Sequence, residues 1–219
     1  MTAAKQANGK YVYCIIKSPE EKRSFGSIGF DDGEVYTLDY RDFAPVVSDA
    51  PMREYEANEE EVEVHKKVVA EVMKEYTVLP VAYGMVFKNR NLLSVAMKAG
   101  YKAMKKAIEV VDNRVELGIK VILPKDINNW NGNINLCRTG FMENLMDIAA
   151  DSKELKLFSD RLLLNSAFLV ERNKIDEFSL AVGRLASQYK ELRTQYSGPW
   201  PPYNFVDIHI LGKKSKGFR

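Results

Sequence analysis

Apolar positions along the chain fall into runs of two periods, and those periods predict its elements. After a polar arm, Tyr11-Val12-Tyr13-Cys14-Ile15-Ile16 is a continuous aromatic and β-branched run, the mark of a buried strand. Val35 to Leu38 and Phe43 to Val47 read as a strand pair joined by a turn at Asp39–Asp42, and Pro45 assigns the second strand to an edge because proline has no N–H for the ladder. Asn58 then caps a helix, with Glu61 placed to reach back and glutamates suited to the positive end of the helix dipole. Val62, His65, Val69, Val72 and Tyr76 recur at steps of three and four, one helix face. Leu79 to Phe87 reads as one strand. Asn91 caps a second helix with Leu93, Met97, Met104, Ile108 and Val111 along its inner face.

The second half opens on the clearest alternation in the chain. Val115, Leu117, Ile119, Val121 and Leu123 are separated by Glu116, Gly118, Lys120 and Ile122, so one face of a strand is buried. An asparagine-rich loop from Pro124 to Cys137 follows, holding Asn128, Asn129, Asn131, Asn133 and Asn135. Thr139 to about Phe158 reads as helix and Leu162 to Val170 as strand. Ile175, Phe178, Val182, Leu185, Tyr189, Leu192 and Tyr196 predict a long helix of about six turns at 3.6 residues each, packed on the Phe141–Phe158 helix. A closing strand spans Tyr203 to Ile210. The reading is an α+β chain with two ferredoxin-like-type domains, each a mostly antiparallel sheet packed by helices. The expected boundaries are residues 1–112, residues 113–212 with the long helix, and a basic tail over 213–219.

Composition narrows the function classes. In 219 residues, 46% apolar and 28% charged positions describe an ordinary soluble globular protein with enough material for a core. The net charge is +2, and Lys213, Lys214, Lys216 and Arg219 carry all of the excess. A basic body that binds nucleic acid is therefore not expected. No uncharged run approaches the ~20 residues of a membrane span, and the polar N-terminus has no apolar signal core. Cys14 and Cys137 form no disulfide framework; reduced core thiols fit a cytosolic protein, with a single long-range disulfide as the alternative.

Catalytic constellations are missing from the sequence. His65 and His209 share no metal-ligand spacing, and neither has a cysteine nearby in the chain. His65, inside an apolar stripe, reads as a packed histidine with one ring nitrogen bonded. Gly26-Ser27-Ile28-Gly29 leads into Phe30 and two aspartates, which would repel a phosphate. The six glutamates between Arg53 and Glu63 read as a solvated helix start. Lys216-Gly217-Phe218 is too short to be an RNA-stacking strand. No cofactor, metal or small-molecule substrate is implied.

One segment stands apart: Ser197-Gly198-Pro199-Trp200-Pro201-Pro202-Tyr203-Asn204-Phe205. Gly198 ends the long helix in the left-handed conformation, and Pro199, Pro201 and Pro202 fix a stiff connector. Trp200 and Tyr203 ride on it. Two readings stay open: a clamp whose Trp200 seals the core, or a preorganised aromatic contact for a partner.

Gly198-Pro199-Trp200-Pro201-Pro202-Tyr203-Asn204-Phe205-Val206 resembles the C-terminal signature of the gas vesicle GvpF/GvpL family. Tyr11-Val12-Tyr13, Val46-Val47-Ser48, His65 with its valines, Leu79-Pro80-Val81 with Gly84, the Val115–Val121 strand and Leu163 to Val170 resemble the family pattern in the same order. Where that family carries an arginine after its Leu-Pro-apolar triplet, this chain has Ala82, so a role for that charge is not carried over. The resemblance implies a two-domain, non-enzymatic accessory protein at the gas vesicle in the cytoplasm. Its implied partners are the small apolar shell protein GvpA and other accessory proteins, with no nucleic acid and no membrane. Family-motif or contact positions are Gly198, Pro199, Trp200, Pro201, Pro202, Tyr203, Phe205, His65, Pro80 and Gly84. The alternative is a ferredoxin-like small-molecule-binding protein or enzyme, which a polar cleft at His65 with converging carboxylates would favour.

Overall fold

Antiparallel pairing around two central strands organises the chain. The computed structural model describes residues 8–125 and 132–206. Their contacts divide into two units, residues 8–112 with 205–206 and residues 113–204. The chain is α+β, with one antiparallel sheet and its packed helices in each unit.

In the first unit β1 (Asn8–Lys17) is the axis: it pairs with β4 (Phe43–Pro51) on one side and with β5 (Leu79–Pro80) and β6 (Val86–Phe87) on the other. β3 (Val35–Thr37) and β2 (Ser24–Gly26) extend the sheet beyond β4. β4 is therefore interior, against the edge placement expected from Pro45. The Pro45 carbonyl accepts from Leu38 N–H at 3.0 Å, so its missing N–H points the same way, past the last β3 pair, Thr37 with Val46. The one bond forgone is the reciprocal one to the Leu38 carbonyl, outside β3. Leu79 to Phe87 is not one strand either. β5 and β6 are two short pieces with a loop between them, and Gly84 there has φ +80°, where an L side chain is strained. Pro80 lies on this outer edge, opposite Cys14, where proline is tolerated.

Asn58 caps α1 (Glu59–Met73) by accepting from Glu61 N–H at 2.9 Å. Glu61 turns instead to Arg53 and Tyr83, so the reciprocal half of the expected cap is replaced by a tertiary contact. The cap of α2 (Arg90–Val111) is Asn89, two residues before the expected Asn91, and its inner face buries Leu93, Met97, Met104, Ile108 and Val111.

The second unit runs β7 (Arg114–Ile122), α3 (Ile134–Met146), β8 (Asp151–Glu154), β9 (Leu162–Glu171), α4 (Ile175–Gln188), β10 (Arg193–Trp200), with sheet order β10-β7-β9-β8. That β-α-β-β-α-β order is ferredoxin-like. Three sequence expectations change. α3 begins at the Asn133 cap, so Asn135 and Cys137 are helical, and it ends at Met146. β8 occupies part of the expected Thr139–Phe158 helix. The expected long helix stops at Gln188, and Arg193 to Trp200 pairs with β7. Tyr196 thus lies on a strand, and Gly198 is no helix cap. α4 does pack on α3, with Phe141 and Tyr189 rings 5.8 Å apart. Tyr203 to Phe205 form a turn where the closing strand was expected. Asn128, Asn129, Asn131, His209 and the basic tail lie outside the described residues. Cys14 and Cys137 are both buried and free, which removes the disulfide alternative.

Candidate functional site

The candidate positions gather at two places, one in each unit. In the second, register fixes which way Trp200 points. Phe178 of α4 packs on Phe168 and Tyr196, with ring centroids 5.3 and 6.3 Å away. Phe168 and Tyr196 lie opposite Leu117 and Ile119, so odd-numbered β7 positions face the helices. Glu116, Gly118 and Lys120 face the other way, and Trp200, opposite Glu116, shares their face. Trp200 is 49% exposed. It does not seal the core.

What holds it there is the strap that follows. The register skips two residues between Ser197 and Trp200. Gly198 sits in that bulge at φ +117°, and a Cβ on it would meet the Glu116 carbonyl oxygen at 2.8 Å, so only glycine fits. Pro201 and Pro202 are buried. The strap then reaches Asn204, whose backbone N–H donates to Glu116 Oε2 at 2.8 Å and whose side-chain N–H donates to Oε1 at 2.5 Å. Lys153 Nζ, from β8, donates to the Asn204 carbonyl at 2.5 Å. A carboxylate only 6% exposed thus anchors the motif across two strands. Burial raises the Glu116 pKa, and the Asn204 bonds hold it back. On the same face Lys120 lies 5.5 Å from the exposed ring of Phe158, about 13 Å along β7 from Glu116 at 3.3–3.4 Å per residue. Gly198→Ala is expected to lower stability by about 1–3 kcal/mol through left-handed strain and the backbone clash. Urea unfolding of the variant checks this; an unchanged midpoint would refute it.

In the first unit, Tyr11 joins His65 to Gly84. Gly84 N–H donates to Tyr11 Oη at 2.9 Å, and Tyr11 Oη lies 3.0 Å from His65 Nδ1. Tyr11 Oη thus bridges the Gly84 N–H of the loop and His65 Nδ1 of α1. Tyr13 works alike, accepting from Phe30 N–H at 3.1 Å and meeting Ser48 Oγ at 2.8 Å. Rings of Tyr13, Phe30, Tyr55, His65 and Tyr83 surround Tyr11. The nearby carboxylate, Glu61, is bound by Arg53 at 2.5 Å and Tyr83 at 3.0 Å. His65 is thus a packed histidine with one bonded ring nitrogen, and its surroundings are rings rather than converging carboxylates.

Burial holds the His65 pKa down to about 4 from 6.5. The folded state therefore favours the neutral ring, and its contribution is complete above pH 6.5 and lost as pH falls toward 4. At 1.36 kcal/mol per unit the loss is about 3 kcal/mol. Glu116, with a raised folded pKa, acts in the opposite sense as pH rises through its range. The difference between wild type and His65→Leu isolates the histidine: urea melts at pH 7 and pH 4.5 should show a smaller acid loss in the variant. Equal acid losses in both would overturn this assignment.

Neither place gathers metal ligands; no group of three or more His, Cys, Asp or Glu suited to an ion occurs among the described residues. No helix among them is long and apolar enough to cross a membrane. Comparison with known proteins supplies the decisive observation. The family model for gas vesicle synthesis protein GvpL/GvpF matches residues 9–134 and 130–207. The chain belongs to the GvpL/GvpF family. It is 36% identical over 216 residues to gas vesicle protein F1 of Halobacterium salinarum, covering 95% of this chain and 98% of that protein. With gas vesicle protein F of Haloferax mediterranei it shares 35% over 214 residues, 94% and 97% of the two chains. The crystal structure of GvpF from Anabaena sp. superposes with TM-score 0.81 at 19% identity, over 92% of this chain and 99% of that one. GvpF from Microcystis aeruginosa gives 0.79 at 20%, over 90% and 98%. These two share the fold. As a GvpL/GvpF member, the chain has a role in gas vesicle formation.

Of the family positions read from sequence, His65 and Gly84 meet through Tyr11, and Gly198 to Pro202 form the strap with Trp200 outward. Tyr203 lies in the following turn, and Phe205 is buried in the first unit. Pro80 is apart from the hydrogen-bonded cluster. Sequence reasoning missed Glu116, Lys153 and Phe158. Glu116 reads as a solvent-facing position of an alternating strand, whereas it is buried and its carboxylate is bonded to Asn204 of the strap.

Proposed function

We propose that this chain is a non-enzymatic assembly or nucleation factor that binds the gas vesicle shell protein GvpA and other accessory proteins, acting at the gas vesicle in the cytoplasm. The observation that carries the reading is Trp200: a half-exposed tryptophan on a strap fixed by three prolines and by the Glu116–Asn204–Lys153 anchor. Such a ring loses little freedom on docking, and tryptophan is enriched where binding energy concentrates. A shell subunit with a gas-facing apolar side associates indiscriminately before assembly; shaped aromatic surface covers it without any reactive group. Family membership supplies the context.

Pull-down of the full chain against the shell protein and each co-encoded accessory protein tests the proposal. Capture of the shell protein is the expected result, and failure to capture any of them would refute it. Fractionation separates the two forms of the role. Retention on washed vesicles marks a minor structural component, and a wholly soluble pool marks a transient helper.

A further inference from the structure

α2 carries a second face, outward and unabsorbed by the Trp200 reading. Its inner face is filled by Leu93, Met97, Met104, Ile108 and Val111. On its outer side Leu92, Val95, Ala99, Lys102 and Lys106 follow at steps of three, four, three and four, the spacing of a coiled-coil seam. All five are exposed, Leu92 at 49% and Val95 at 63%. The row is about 21 Å long at 1.5 Å per residue. Its N-terminal half is apolar and its C-terminal half is basic. α2 holds Arg90, Lys98, Lys102, Lys105 and Lys106 against the single carboxylate Glu109. Lys105 is engaged with Asp42 at 3.3 Å, whereas Lys98, Lys102 and Lys106 have no ion pair with any described residue.

Leu92 and Val95 are neighbours one turn apart on the outward face, in line with the lysines, where a surface helix is mostly polar. We propose that this row docks a helix of a partner protein, one whose facing row is apolar in one half and acidic in the other. Charge fixes the chemistry: two unpaired lysines in the seam itself, with Lys98 beside it, call for carboxylates set in line with an apolar patch. A lipid surface fits less well, because the face carries neither aromatic rings nor a broad apolar sector to insert. Nucleic acid would leave Leu92 and Val95 against phosphates. This surface lies in the first unit and is independent of the Trp200 proposal.

The test uses the full chain and a fluorescent, alanine-based helical peptide of about 21 residues with leucines in one half of a three-four row and glutamates in the other. Anisotropy should report saturable binding, at least about tenfold tighter than to a scrambled peptide of the same composition. Lys102→Glu with Lys106→Glu should weaken it at least about tenfold without moving the melting temperature, since both side chains are exposed, and a peptide with lysines for glutamates should restore binding. Val95→Glu should weaken it independently. Equal binding of the scrambled peptide, indifference to both variants, or tighter binding of phosphatidylserine vesicles or duplex RNA than of the peptide would overturn the proposal.

Discussion

Replacing Trp200 by alanine is expected to weaken shell-protein binding by roughly 2–4 kcal/mol, the range of an interface hot spot, while costing the fold only about 1–2 kcal/mol. The second figure follows from exposure. A fully buried tryptophan costs about 3–5 kcal/mol on truncation, but half of this ring is already in water. The strap should survive the change, because its anchor is Asn204 on Glu116 and Lys153 rather than the indole. Thermal melting and shell-protein affinity measured on the same variant separate the effects. A loss of several kcal/mol in stability with affinity intact would return Trp200 to a packing role.

Tyr11→Ala is expected to destabilise the first unit by about 3–5 kcal/mol, the cost of emptying a buried aromatic site. Tyr11 is fully buried at the centre of its ring cluster, with Phe30 at 4.6 Å, Tyr13 at 4.8 Å and Tyr55 at 4.9 Å. Tyr11→Phe keeps the ring and removes one oxygen, yet that oxygen serves both His65 Nδ1 and Gly84 N–H. Leaving the buried His65 nitrogen and the half-buried Gly84 N–H without their partner should cost about 1–3 kcal/mol. Chemical denaturation of the two variants gives both figures. A Tyr11→Phe protein as stable as wild type would mean that the hydroxyl merely fills space between the histidine and the loop.

Strands with a buried face were legible from the sequence, and switches between elements were not. β1 and β9 announce themselves through long apolar runs, and β7 through alternation, because each buried face selects apolar side chains. β8 gives no such signal: Asp151-Ser152-Lys153-Glu154 is wholly polar, as an edge strand can be when the ladder to β9 supplies its order. The end of α4 misleads for another reason. Leu192 and Tyr196 continue the three-four spacing by coincidence, and neither glycine nor proline marks the turn at Tyr189–Leu192. Pairing with β7 decides the state of Arg193 to Trp200, and pairing is not local information. The candidate site divides likewise. Gly198, the prolines and Trp200 stand out as a motif, whereas Glu116 and Lys153 acquire meaning only when the strap folds back over them.

Binding of the shell protein at Trp200 is the central claim, and intrinsic fluorescence reads it directly. With the chain's other tryptophan removed by Trp130→Phe, all indole emission comes from Trp200. Titration with purified shell protein should shift that emission to the blue and shield it from acrylamide, because a half-exposed ring passes into an apolar contact. Emission and quenching that stay unchanged while the shell protein binds would contradict the account.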